Sequence, residues 1–265
     1  MAILTCDYFS RALSAHQCFT AVLPSDAMPG GFGAVEYGAG PYPTLYLLHG
    51  FGGNRNDWLM NSRVQEWASM HGWAVVMPDG ANSFYLDQAE TNARWGEAIG
   101  QELVEVTRKL FPLSTRREDT AIGGLSMGGF GALRLGLRYP ETFGHIAAMS
   151  SALITEEVSQ MTPGHGNMVA PYGYYRLVFG QPEALLGSDR DPKALAKALA
   201  GKPGAPRLFL ACGTEDMLYP LNLDMHTYLE SLGYDHVWFT RPGIHDFSFW
   251  NEALQAVLPW LHTGD

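Results

Sequence analysis

Short apolar runs recur along the chain with helix-like stretches between them, and this alternation restricts the fold more than any other feature of the sequence. The runs are Cys18–Leu23, Thr44–Leu48, Trp73–Met77, Thr120–Gly123, His145–Met149, Leu208–Cys212 and Val237–Thr240. Most are continuous, without polar alternation, which is the pattern of strands covered on both faces. Strands of that kind interleaved with helices imply an α/β fold with a mostly parallel sheet and helices on both sides. Too few residues separate Asp7–Ala12 from Cys18–Leu23 for a crossover helix, so those two segments are expected to pair antiparallel. The helices are expected over Asp57–Met70, Ala93–Leu110, Gly128–Arg138, Leu218–Leu232 and Phe247–Leu261. In the second of these, Ile99, Leu103, Val106 and Leu110 share one face, and Glu97, Gln101, Glu105 and Arg108 lie elsewhere.

The rhythm breaks once. After the strand at 145–149, from about Thr155 to Pro206, no core strand is apparent; Met161, Met168, Tyr172, Tyr174, Tyr175 and Phe179 crowd together, with two weak helices near Pro182 and Pro192. Loops this long are uncommon unless functional, so 155–206 reads as a lid or substrate-shaping insertion within one domain covering 1–265. A chain of 265 residues can enclose one large core, and 46% hydrophobic with 17% charged residues excludes a disordered chain.

Charge excludes one class of partner. With 17 Lys+Arg against 27 Asp+Glu the net charge is −10, and no basic cluster offsets it, so nucleic acid is not an expected partner. No run approaches the roughly 18 apolar residues of a membrane span, and the opening MAILTCDYFSR lacks the layout of a secretory signal. Cys6, Cys18 and Cys212 have no metal-type spacing and read as reduced thiols of a cytoplasmic protein, although Cys6 and Cys18 could pair across an N-terminal hairpin.

The chemistry concentrates in four loops that follow strands. Ala121-Ile-Gly-Gly-Leu-Ser-Met-Gly-Gly-Phe-Gly-Ala132 sets Gly124-x-Ser126-x-Gly128 between an apolar strand and an amphipathic helix, the context a nucleophile elbow requires. Small residues let the helix pack close to the strand, and the free N–H groups of the helix start favour negative charge beside Ser126. A serine hydroxyl needs a histidine to take its proton, and that histidine needs a carboxylate. Both lie downstream: Asp216, with Glu215 as the rival acid, follows Leu208–Cys212, and His245 follows the last strand. The fourth loop, His49-Gly-Phe-Gly-Gly-Asn54, follows Thr44–Leu48 and suits an oxyanion hole made by the N–H groups of Phe51 and Met127, with Gly52 the rival of Phe51. His49 precedes the serine and reads as a brace of its loop. The remaining histidines make no metal-type pair, so no metal is expected. Phe51, Met127, Leu218, Phe247 and Trp250, with Met161, Tyr172 and Tyr175 from the insertion, are candidates for the substrate pocket, and Asp246 for an acid at the start of the last helix.

With these loops in place the chain resembles the α/β-hydrolase esterases of the esterase D type, and especially the tributyrin esterases. The resemblance rests on Tyr8-Phe-Ser-Arg-Ala-Leu, Val22-Leu-Pro, Leu47-Leu-His-Gly-Phe-Gly-Gly-Asn with Asp57-Trp58, the serine segment, Gly213-Thr-Glu-Asp216 and Gly243-Ile-His245-Asp-Phe-x-Phe-Trp. It implies hydrolysis of short-chain acyl esters of small molecules through an acyl-serine, without a cofactor. Relatives of that type act on S-formylglutathione or on feruloyl and acetyl groups of polysaccharide, or transfer mycolic acids. The Phe51-Gly-Gly-Asn segment stands where the S-formylglutathione enzymes have a cysteine-containing one, which argues against that thioester. An acyltransferase would use the same triad with an alcohol or sugar as acceptor. A non-catalytic binding protein would be expected to have lost Ser126, Asp216 or His245. The sequence leaves a homo-oligomer open.

Overall fold

A computed structural model describes residues 1–25 and 40–262. Ten strands occur among them: β1 (Ala2–Ser10), β2 (Ala15–Leu23), β3 (Thr44–Leu48), β4 (Ala74–Pro78), the short β5 (Asp87–Gln88) and β6 (Ala93–Arg94), β7 (Thr120–Leu125), β8 (His145–Met149), β9 (Arg207–Gly213) and β10 (His236–Arg241). The helices are α1 (Asp57–Asn61), α2 (Val64–His71), α3 (Trp95–Glu97), α4 (Leu103–Leu110), α5 (Met127–Arg138), α6 (Thr155–Ser159), α7 (Tyr172–Phe179), α8 (Pro192–Leu199), α9 (Tyr219–Ser231) and α10 (Phe247–Trp260). A π-helical turn, Ala98–Glu102, joins α3 to α4.

Eight strands form one sheet in the order β1-β2-β4-β3-β7-β8-β9-β10. The six from β4 to β10 in that order are mutually parallel, and β1 and β2 add an antiparallel edge. The fold is the α/β-hydrolase type expected. Strand side chains alternate between two cores. Tyr46, Leu48, Ile122, Ile146, Leu208 and Leu210 pack with α4, α5 and α9, whereas Leu45, Leu47, Ala121, Ala147, Phe209 and Ala211 pack with α2 and α10. Burial on both faces explains why these strands lack polar alternation in the sequence.

The strand order also places the site. After β3 the chain moves outward to β4 and then returns to β7 on the other side of β3, so β3 and β7 flank the point where the winding reverses. In open α/β sheets ligands collect at the carboxyl ends of the strands at such a point. The loops leaving β3 and β7 are His49–Asn54 and the Ser126 turn.

Three expectations need correction. The helix expected over Asp57–Met70 is two helices, because Ser62 turns extended and its Oγ accepts from Val64 N–H at 3.2 Å, which starts a new helix. The first strand begins at Ala2 and not near Asp7. The pairing of Cys6 with Cys18, left open as an alternative to free thiols, is not formed: Cys6 stands opposite Phe19 and Cys18 opposite Asp7, so the two thiols lie on opposite faces of the hairpin. Segment 155–206 carries more helix than the two pieces expected, since α6 and α7 precede the 3₁₀ turn Pro182–Ala184 and α8. It is tied to α5 by Arg134, which is buried and donates to Asp189 Oδ2 at 2.8 Å and to the Asp189 carbonyl at 3.1 Å.

Candidate active site

Ser126 lies between β7 and α5 with φ 55° and ψ −117°, a conformation that L side chains rarely adopt. The turn is this sharp because strand and helix run nearly into contact. A Cβ on Gly124 would come within 2.5 Å of the Gly128 carbonyl oxygen, and one on Gly128 within 2.5 Å of the Leu48 carbonyl oxygen. The glycines at both positions are therefore a packing requirement.

His245 reaches this serine from the loop between β10 and α10. Its Nε2 is 3.1 Å from Ser126 Oγ, and its Nδ1 is 3.0 and 2.9 Å from the two carboxylate oxygens of Asp216. Asp216 Oδ1 also accepts from Leu218 N–H at 2.8 Å. Burial of Asp216 pushes its pKa up, but hydrogen bonds from His245, the Leu218 N–H and the Ser150 hydroxyl outweigh it and hold the carboxyl below its ordinary value. An ionised Asp216 acceptor places the proton of a neutral imidazole on Nδ1, which leaves Nε2 as the acceptor facing Ser126. Glu215 is turned elsewhere. Its carboxylate accepts from Gly243 N–H at 2.5 Å and its own N–H donates to the Gly243 carbonyl at 3.0 Å, so it fastens the acid loop to the histidine loop two residues before His245.

Trp250 sets the other side of the imidazole. Its ring meets His245 edge-on at 5.0 Å, its Nε1–H donates to Ser150 Oγ at 3.0 Å, and Phe247 packs on it at 5.0 Å. Ser150, itself at φ 45°, is a residue the sequence did not mark. Asp246 caps α10 by accepting from Ser248 and Phe249 N–H at 3.0 and 3.2 Å.

The loop after β3 lies against the serine: a Cβ on Gly50 would be 3.4 Å from Ser126 Cβ. The Gly50 carbonyl accepts from His49 Nδ1–H at 2.7 Å and from Gly53 N–H at 3.1 Å. C=O and N–H of a trans peptide point in opposite directions, so anchoring that carbonyl turns the Phe51 N–H the other way. Gly52 N–H is taken by Asn82 Oδ1 at 2.7 Å. Met127 opens α5, where N–H groups have no acceptor within the helix. His49 is buried with Nε2 accepting from Gly80 N–H at 2.9 Å, and burial lowers its pKa, so it stays neutral.

The insertion contributes a different tyrosine from those singled out. Tyr174 meets Phe51 edge-on at 5.7 Å. Tyr175 is buried against Tyr174 and Phe179, with its hydroxyl donating to Asn167 Oδ1 at 2.8 Å. Met161 is half-buried against the core, and Tyr172 opens α7 half-buried. The face of a two-turn helix that points inward depends on its docking, which composition does not reveal. Among the described residues no group of three or more His, Cys, Asp or Glu could hold a metal, and no helix is long and apolar enough to cross a membrane.

Residues 28–261 match the Esterase family model. The chain belongs to the Esterase family. It is 41% identical over 262 residues to an acetyl esterase of Caldicellulosiruptor saccharolyticus, covering 98% of each chain. Among solved structures it is similar to the fluorophosphonate-binding serine hydrolase FphF of Staphylococcus aureus, with TM-score 0.83, 27% identity and 98% of both chains covered. It is also similar to the S-formylglutathione hydrolase FrmB of Staphylococcus aureus, with TM-score 0.79, 26% identity and 98% of both chains covered. This esterase is thus a serine hydrolase acting on carboxylic ester bonds.

Proposed function

We infer that the esterase hydrolyses short-chain acyl esters of small molecules with Ser126 as nucleophile, His245 as general base and acid, and Asp216 as the carboxylate that orients it. The observation carrying this reading is the single imidazole that bridges Ser126 Oγ at 3.1 Å and Asp216 at 2.9 Å. Ser126 Oγ attacks the ester carbonyl as its proton passes to His245 Nε2. The negative charge on the carbonyl oxygen is received by the N–H groups of Phe51 and Met127, and Gly52 is the poorer candidate because Asn82 occupies its N–H. The tetrahedral adduct collapses with the alkoxide taking the proton from His245, which leaves the acyl-serine. A water then gives its proton to His245 and its oxygen to the acyl carbon, freeing the acid and restoring Ser126.

The preference for short acyl groups is supported by the acetyl esterase relative and by the insertion over 155–206, whose Tyr174 stands against Phe51 as one wall of the site. Free thiols at Cys6, Cys18 and Cys212 support a cytoplasmic setting. The test is a p-nitrophenyl ester series of increasing chain length on wild type and Ser126→Ala, with labelling by a fluorophosphonate. Wild type is expected to be labelled at Ser126 and to turn over acetate and butyrate fastest, and the variant to lose both properties. A variant with near-normal turnover overturns the assignment.

A further inference from the structure

The loop beside Ser126 is gripped by a segment that no motif marks. Residues 80–85, which follow β4, make three hydrogen bonds to it: Gly80 N–H donates to His49 Nε2 at 2.9 Å, Tyr85 O–H to the His49 carbonyl at 2.9 Å, and Asn82 Oδ1 accepts from Gly52 N–H at 2.7 Å. The segment is locked internally, since Ser83 Oγ donates to the Gly80 carbonyl at 2.6 Å and accepts from Tyr85 N–H at 3.0 Å. Ala81, Phe84 and Tyr85 have φ of 45°, 49° and 56°, a conformation that non-glycine residues hold only where their surroundings enforce it. Here Phe84 is fixed against Phe130 of α5 at 5.4 Å and Phe179 of α7 at 4.8 Å. The insertion joins the same assembly, because Tyr174 O–H donates to the Asn82 carbonyl at 2.7 Å while its ring meets Phe51.

Two consecutive peptide planes determine where the Phe51 N–H points. The plane between Gly50 and Phe51 is held at its carbonyl by His49 and Gly53. The plane between Phe51 and Gly52 is held at its N–H by Asn82. Gly52 has φ 78° and nothing within 4 Å of where a Cβ would be, so side-chain packing adds no restraint there. We propose that Asn82 is a positioning residue for ester hydrolysis: it fixes the Phe51–Gly52 peptide of the oxyanion loop and, through Tyr174, makes the insertion part of that brace. Donors aimed in advance at developing charge act in the transition state, so loosening them lowers kcat and leaves ground-state binding nearly unchanged. The inference rests on the reading of Phe51 N–H as an oxyanion donor.

The test measures p-nitrophenyl acetate kinetics and inhibition by butylboronic acid, whose serine adduct is tetrahedral, for wild type, Asn82→Ala and Tyr174→Phe. Asn82→Ala is expected to lower kcat about 10- to 100-fold, less than the roughly 10²–10³ reported for outright loss of a donor. KM should change less than about threefold, with boronate affinity falling in parallel with kcat. Tyr174→Phe keeps the ring on Phe51 and loses only the hydroxyl, so the same pattern is expected at about 3- to 10-fold. Both residues are incompletely buried, and Tyr174→Phe decides the matter should Asn82→Ala fold poorly. Wild-type kcat and boronate affinity in the variants, or a rise in KM alone, would overturn the inference. Absence of fluorophosphonate labelling at Ser126 in wild type would instead overturn the nucleophile assignment.

Discussion

Replacing Ser126 by glycine should give a more stable protein than replacing it by alanine, the reverse of the usual order. Both variants lose the hydroxyl and its contact with His245 at 3.1 Å, so their difference isolates the backbone. At φ 55° and ψ −117° an alanine Cβ keeps the strain of the native turn, which is worth about 1–3 kcal/mol, whereas glycine relieves it. Against that, glycine gives the unfolded chain more freedom, at a cost of about 0.4–1 kcal/mol. At the midpoints of the two ranges the balance favours Ser126→Gly by about 1.3 kcal/mol. With about 2.1 cal/mol/K of unfolding entropy per residue, 265 residues convert this into a Tm roughly 2 °C above that of Ser126→Ala. Differential scanning calorimetry of the two variants at one pH and scan rate makes the comparison, with p-nitrophenyl acetate turnover expected to be absent in both. A glycine variant no more stable than the alanine variant would refute the argument that the elbow stores strain.

Gly128→Ala should destabilise by about 2 kcal/mol or more and lower kcat, because its Cβ would meet two backbone oxygens, of Leu48 at 2.5 Å and His49 at 2.7 Å, that cannot turn aside as a side chain could; unfolding and kinetics together check it. Glu102 accepts from Ser10 Oγ at 2.5 Å and from the Arg11 and Ala12 N–H groups at 2.8 and 3.3 Å, so Glu102→Gln should cost about 2–3 kcal/mol at neutral pH. Burial would raise the pKa of Glu102, but these hydrogen bonds bring it below the ordinary value, so its contribution is present above the unfolded carboxyl value near 4.3 and is lost as pH falls through the folded one. The stability gap between Glu102→Gln and wild type should therefore narrow below about pH 4. Burial first, and then Arg207 and Arg117, push the His145 pKa down to about 4. The unfolded chain then binds a proton that the folded one refuses, so wild-type stability should decline from about pH 6.5 and level off near 4, a slope that denaturation of His145→Gln should show reduced.

Legibility in the sequence followed burial. Thr44–Leu48 and His145–Met149 have the same limits in sequence and structure because strands covered on both faces are apolar throughout and end where the chain meets polar loops. The break at Ser62 escaped because apolar spacing continues through it, and only the local hydrogen bond of Ser62 Oγ to Val64 N–H reveals a new helix start. Helix α7 escaped because Gly173 and its aromatic neighbours favour helix weakly, and its stability comes from Phe179 against Phe84 and Phe130.

The sequence by itself determined the fold class and the strand-end loops that hold Ser126, Asp216 and His245, because each loop follows a strand marked by apolar residues and glycine. Only the tertiary structure decided that Asp216 and not Glu215 faces His245, that Asn82 occupies the Gly52 N–H, and that Tyr174 meets Phe51. Those choices turn on which way a peptide plane or a helix face points. Such directions are fixed by contacts between segments 28 to more than 100 residues apart, for which no local pattern in the chain supplies a signal.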